Sequence, residues 1–201
     1  MRHSRALIGA GAAAAVATWW FTDSAPYPYS QRWLLDLPLP FLTLKRLDHV
    51  LQAREGERIL EIGPGTGLQS LHVAPQLGPN GQLDIVDIQQ EMLDHVMREA
   101  GRRGVTNVTP TLGDAQALPF EDNSIDGAVL VTVLGEIPDQ EQALREIARV
   151  LRPGGRLVVG ELFGDPHMVT TGKLTERAGR AGLELEQRLG SPLAFFARLR
   201  K

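Results

Sequence analysis

No cysteine occurs in the 201 residues, which excludes a disulfide framework, a thiolate nucleophile and a cysteine-ligated metal site. No two histidines stand at i, i+4, so the spacing of a helical metal site is missing too and no metal is expected. Neither charge is in excess: 21 Lys and Arg face 24 Asp and Glu, for a formal charge of −3. That balance supplies no global field for nucleic acid, and no nucleic-acid partner is expected. A comfortable membrane span is also lacking. The uncharged stretch Ala6 to Phe21 would rise roughly 24 Å as a helix, against a hydrocarbon core of roughly 30 Å. There is no internal repeat, and no low-complexity tract beyond the alanines of that stretch.

What remains is an ordinary folded composition, 43% hydrophobic and 22% charged. The N-terminus is the unusual part. Arg2 and Arg5 precede the apolar stretch, and Trp19, Trp20 and Phe21 close it in the manner of an interfacial belt. Three readings stand: a membrane-surface anchor, a signal peptide with small residues near Ser24 and Ala25, or a helical lid. Residues 22–30, "TDSAPYPYS", read as a linker. Leu34, Leu37, Phe41, Leu44, Leu47 and Leu51 then recur at a helical period interrupted by Pro38 and Pro40. This predicts a short helix, a break, and a second helix through about Gln52. The expected organisation is an apolar helix over 1–25, a helical cap over 26–56 and a ligand-binding domain over 57–201.

From Glu57 onward strand-like and helix-like segments alternate. "RILEIG", "GQLDIVDI", "VTPTLGDA", "SIDGAVLVTVL" and "PGGRLVVGEL" read as strands. "GLQSLHVAPQL", "QQEMLDHVMREAGRRG", "DQEQALREIARVL" and "TGKLTERAGRAGL" read as helices. A closing hairpin is expected around Gly190–Pro192. Such alternation predicts an α/β fold, a mostly parallel sheet with helices on both faces.

"ILEIGPGTGLQS" joins the first strand to the first helix of that domain through Gly63, Gly65 and Gly67. In open parallel sheets, ligands bind outside the carboxyl ends of the strands. Gly63 permits turn geometries other residues avoid, Gly65 removes a Cβ that would block a ligand, and Gly67 lets the helix start close by. The spacing is not that of a dinucleotide site. Counted from Gly63 the third glycine of G-x-G-x-x-G falls on Leu68, and from Gly65 on Ser70. No Gly-Lys-Ser/Thr follows to make a P-loop. Glu61 beside the turn would repel a pyrophosphate and suits a cationic ligand. Asp87 at the end of the second strand can accept two ribose hydroxyls, or instead cap the following helix. Asp114, after the third strand, can accept from an adenine amino group, or be a plain surface acid. Three acids at or just past successive strand ends point to a nucleoside without phosphate and with positive charge.

"EIGPGTG", "VDIQQEML", "GDAQALPFEDNSIDGAVL" and "LRPGGRLVV", in this order, resemble the class I S-adenosylmethionine-dependent methyltransferases. The likeness is greatest to the branch with the ubiquinone and menaquinone methyltransferases, and it covers about residues 45–201. It implies a Rossmann-like seven-stranded sheet with an antiparallel last strand, an N-terminal helical extension, and S-adenosylmethionine as cofactor. It implies that Gly63, Gly65 and Gly67 approach the cofactor and that Glu61 lies near its methionine part. Asp87 would take the ribose, Ile88 would pack on adenine, and Asp114 would take the adenine amino group with the Ala115 backbone nearby. Val131 and Thr132 would offer backbone contacts to the methionine amine.

Methyl transfer from a sulfonium needs a general base only when the nucleophile arrives protonated. The candidates are His167, in the loop after the fifth strand, Glu136, after the fourth, and Tyr29, should the N-terminal region fold back. Asp165 shares the His167 loop. The apolar N-terminal third suits a small hydrophobic or membrane-associated acceptor, such as a phospholipid amine or a quinone precursor. Leucines that merely cover the sheet are the plainer reading. A soluble metabolite acceptor, a nucleoside-binding protein without turnover and a nicotinamide oxidoreductase are the alternatives. Basic residues before the apolar stretch favour a cytoplasmic N-terminus, so a peripheral position on the cytoplasmic membrane face is expected.

Overall fold

The computed structural model describes residues 28–35 and 41–201. The apolar helix expected over 1–25 lies outside the described residues. Seven strands form one sheet: β1 (Arg58–Ile62), β2 (Gln82–Asp87), β3 (Val108–Leu112), β4 (Ile125–Val131), β5 (Leu151–Leu162), β6 (Glu184–Ser191) and β7 (Ala194–Arg200). Their order is β3-β2-β1-β4-β5-β7-β6. Pairing from β3 across to β5 is parallel, and β7 is antiparallel to both β5 and β6. The sheet is thus Rossmann-like and mostly parallel, with antiparallel pairing at one end.

Five α-helices accompany the sheet in the described residues: α1 (Leu44–Leu51), α2 (Ser70–Val73), α3 (Gln90–Arg103), α4 (Gln140–Val150) and α5 (Thr171–Arg180). Three begin at side-chain caps. Thr43, Asp139 and Thr170 accept from the backbone N–H of Arg46, Gln142 and Lys173, satisfying donors the first turn leaves free. The chain stops α3 at Gly104 in the left-handed conformation.

Strand parity divides the core. Leu60, Ile62, Val86, Leu130 and Leu157 pack in one cluster with residues of α4 and α5. Ile59, Leu83, Ile85, Val129 and Val158 pack in another with α1, α2 and α3. Successive strand residues point to opposite faces, and both faces are covered.

The expected helix over "GLQSLHVAPQL" is shorter than its pattern. Only Ser70–Val73 is α-helical, and Ala74–Leu77 tightens to a 3₁₀ turn around Pro75, whose ring cannot donate to the helix. The helix expected near residues 31–37 is a 3₁₀ turn over Tyr29–Leu34. The second cap helix ends at Gln52, as its period predicts, in a left-handed C-cap. Arg156 fastens that cap to the sheet. Its guanidinium pairs with Glu57 at 3.0 and 2.6 Å and donates to the carbonyls of Leu51 and Gln52. No helix among the described residues is long and apolar enough to cross a membrane.

The candidate active site at the strand ends

Beyond β1 the next strand lies on one side, and β4 lies on the other. Such a switch point leaves a crevice at the carboxyl ends of the strands. A cavity of about 500 Å³ occupies it. Gly63 and Gly65 line its floor after β1, Asp87 and Ile88 after β2, Asp114 and Ala115 after β3, and Val131 and Thr132 after β4. Glu136, Asp165 and His167 line the opposite end. Pro28 and Leu35, on either side of the first 3₁₀ turn, close it from above.

The turn residues Gly63, Gly65 and Gly67 all have positive φ. At Gly63 a side chain would also collide with Val133, since a Cβ there would lie 2.6 Å from Cγ2. Gly67 does not line the cavity; it is set against Val96 of α3, where a Cβ would come within 3.1 Å. Thr132 is less expected. A β-branched residue at φ 54° is strained, and it turns the chain sharply where β4 meets the cavity. Its N–H donates to the Gly160 carbonyl at 2.8 Å, which holds it there.

Besides Gly67, two of the residues expected at the site lie away from its wall. Glu61 shares the parity of Ile59, so its carboxylate points beneath α2, where Ser70 Oγ donates to it at 2.5 Å. Tyr29 faces α3 instead of the cavity. Its N–H donates to Gln89 Oε1 at 3.3 Å, its hydroxyl accepts from Arg98 at 3.3 Å, and its ring stands edge-on to His95. Tyr29 therefore fastens the covering turn to α3.

Asp87 does not cap α3 from its first turn; its Oδ1 accepts the Gln89 N–H at 2.9 Å and shapes the bend before the helix. Burial raises its pKa, with backbone donors from Gln89 and Ile88 acting against the rise. Asp114 is exposed at the mouth and accepts from the backbone and side chain of Gln116. At the far end, the His167 N–H donates to Asp165 Oδ1 at 2.8 Å, and His167 Nδ1 lies 4.0 Å from the same oxygen. His167 Nε2 is buried and makes no hydrogen bond. Glu161 at the end of β5 is buried beside this loop, holding it through the Val169 N–H at 3.1 Å, and its Oε1 also lacks a partner.

Gly135 was not legible as a site residue. A Cβ there would fall 1.8 Å from the His167 carbonyl oxygen, so the loops after β4 and β5 meet only because position 135 has no side chain. The available signal was a glycine directly before Glu136 in "VLGEIPD".

Burial pushes both Glu61 and Glu161 up to about 8. In the unfolded chain each loses its proton in the usual carboxylate range. Between that range and about pH 8 the folded state holds protons the unfolded state has released, so these groups make stability fall as pH rises through the interval. Above about 8 their effect levels off. Glu161→Gln is expected to flatten that fall relative to the parent chain in urea unfolding followed from pH 5 to 9. Parallel pH profiles for the two would refute the buried-acid assignment.

The electrostatic character of the wall narrows its ligands. Four carboxylates, of Asp87, Asp114, Glu136 and Asp165, line the cavity, and among the described residues no lysine or arginine does. Phosphate sites rely on such cations or on exposed backbone N–H groups. Nor do three His, Asp or Glu of the described residues gather as a metal set.

Comparison with known proteins agrees with this geometry. A family model described as a methyltransferase domain matches residues 59–155. The ubiquinone/menaquinone biosynthesis C-methyltransferase UbiE of Cellvibrio japonicus is 41% identical over 115 residues, covering 57% of this chain and 46% of that protein. An uncharacterized 37.1 kDa protein in transposon TN4556 of Streptomyces fradiae is 43% identical over 111 residues, 55% of this chain and 32% of its own length. The chain thus spans half or less of these two curated relatives. Among solved structures, a SAM-dependent methyltransferase from Aquifex aeolicus superposes with a TM-score of 0.80 at 18% identity, covering 87% of this chain and 99% of that one. The [4+2]-cyclase SpnF gives 0.69 at 21% identity over 79% of each chain, a likeness of fold alone. Residues 59–155 thus carry a methyltransferase domain, on a sheet with the fold of an S-adenosylmethionine-dependent methyltransferase.

Proposed function

We propose that this protein transfers a methyl group from S-adenosylmethionine to a small hydrophobic, lipid-like acceptor. The observation that carries the cofactor half is the four-carboxylate wall, without a lysine or arginine among the described residues, beside the bare glycine turn. That wall suits a ligand with a neutral sugar and a positive centre. Asp87 would take the ribose hydroxyls, and Asp114 the adenine amino group, with Ile88 and Ala115 against the ring. The backbone of Gly63, Gly65, Val131 and Thr132 would hold the amino-acid end. When bound, the sulfonium supplies both the methyl group and its own leaving group.

The protein's part is to position the acceptor and to move a proton. His167, which lines this end of the cavity beside Asp165, would take the acceptor's proton. Glu136 lines the same end. Apolar residues, among them Leu35, Met92, Ile137 and Leu162, complete the walls and support a hydrophobic acceptor. The relatives named as C-methyltransferases of quinone biosynthesis support an acceptor of quinone-precursor type.

Methyl-labelled S-adenosylmethionine incubated with the protein and a total bacterial extract tests this reading. Label is expected in the organic phase after partitioning. Label confined to water-soluble small molecules would favour a soluble acceptor, and no transfer in any extract would remove the enzymatic reading.

A further inference from the structure

Eight large apolar side chains are exposed among the described residues, and five of them line the cavity or stand in segments next to its lining residues. Leu68 and Ile88 line the cavity mouth. Trp33, 62% exposed, sits in the turn between the cavity-lining Pro28 and Leu35. Phe163, 69% exposed, stands between the lining residues Leu162 and Gly164. Its N–H donates to the Leu193 carbonyl at 2.6 Å, so the β6–β7 hairpin tip, with Leu193 58% exposed, lies beside it. Single exposed apolar residues are ordinary, but a ring of them around a ligand opening marks a contact surface.

What precedes this rim in sequence indicates its occupant. The described structure begins at Pro28, itself on the cavity wall. Seven residue steps separate Phe21 from Pro28, so Phe21, at the end of the uncharged stretch that begins at Ala6, lies no farther than about 25 Å from Pro28. An aromatic, apolar stretch preceded by Arg2 and Arg5 suits a lipid interface. Tethering makes the rim and the stretch reinforce each other on one surface.

We propose that the cavity mouth docks on a lipid bilayer through Trp33, Phe163 and Leu193, so that an acceptor passes from the membrane into the site without crossing water. The docking surface stands on the rim geometry, and the direction of acceptor delivery rests on the hydrophobic-acceptor reading above.

The sequence holds three tryptophans, so Trp19→Phe with Trp20→Phe leaves Trp33 as the sole reporter. On vesicles of phosphatidylethanolamine and phosphatidylglycerol, Trp33 emission in this full-length variant is expected to shift to the blue and to be quenched by brominated acyl chains. Phe163→Ser with Leu193→Ser is expected to lower vesicle partitioning by about tenfold or more. Its S-adenosylhomocysteine affinity by calorimetry is expected to match that of the parent. Unmoved Trp33 emission, or a double variant that sediments like its parent, would overturn the docking surface whether or not residues 6–21 bind lipid. Trp33 shielded from iodide without vesicles, and uncovered by deleting residues 1–27, would overturn it in favour of the chain's own N-terminal segment. Failure of the methyltransferase reading would show separately, as absent S-adenosylhomocysteine binding in the unaltered protein.

Discussion

His167→Ala is expected to lower turnover by about 10²-fold or more, the usual contribution of a positioned proton acceptor. Cofactor affinity should stay near that of the parent, because His167 lies at the Glu136 and Asp165 end of the cavity, across from Asp87 and Asp114. The ring is not a spare surface group. His167 lines the cavity, and its backbone N–H is held by Asp165 Oδ1 at 2.8 Å. A base is also distinguished from a packing residue by what replaces it. Substituting glutamine, which fills space without accepting a proton at neutral pH, should fail to restore the rate. Turnover in the alanine variant equal to that of the parent would remove His167 from the chemistry.

Asp87→Ala is expected to weaken S-adenosylmethionine and S-adenosylhomocysteine binding by about 1–3 kcal/mol, through loss of charge-assisted hydrogen bonds to the ribose. Because Asp87 Oδ1 also receives the Gln89 N–H, alanine loosens the bend before α3 as well. Asp87→Asn separates the two effects, since the amide oxygen keeps the Gln89 bond while the charge is lost. Both variants should bind more weakly by calorimetry, with the asparagine chain as stable to urea as the parent. Undiminished affinity in Asp87→Asn would place the ribose elsewhere.

Where residue pattern alone sufficed, and where it did not, has a physical explanation. The β1 to β5 alternation with helices was readable because each strand is a short apolar run bounded by turn residues, and because the helices carry their own caps. The depth of Glu61 was not. In β1, four of five residues are buried, so burial on both faces hides the parity that sends its carboxylate under α2 instead of into the cavity. Tyr29 was expected over the cofactor; its partners Gln89 and Arg98, at and on α3, are sixty or more residues away and leave no local trace of where it docks. Gly135 and the unpartnered Nε2 of His167 depend on how two loops meet, which no spacing within either loop encodes. The strained Thr132 is likewise invisible, because nothing about a threonine announces a left-handed backbone.

The cavity wall, which among the described residues carries acids and no cation, has a bearing on which other cellular ligands could enter. On the proposed reading, ATP and the nicotinamide coenzymes share the adenosine that Asp87 and Asp114 would hold. Each brings a polyanion toward the Glu136 and Asp165 end, where a desolvated like-charge encounter is strongly unfavourable. On that reading, a wall suited to a sulfonium would also turn away adenosine compounds that carry phosphates.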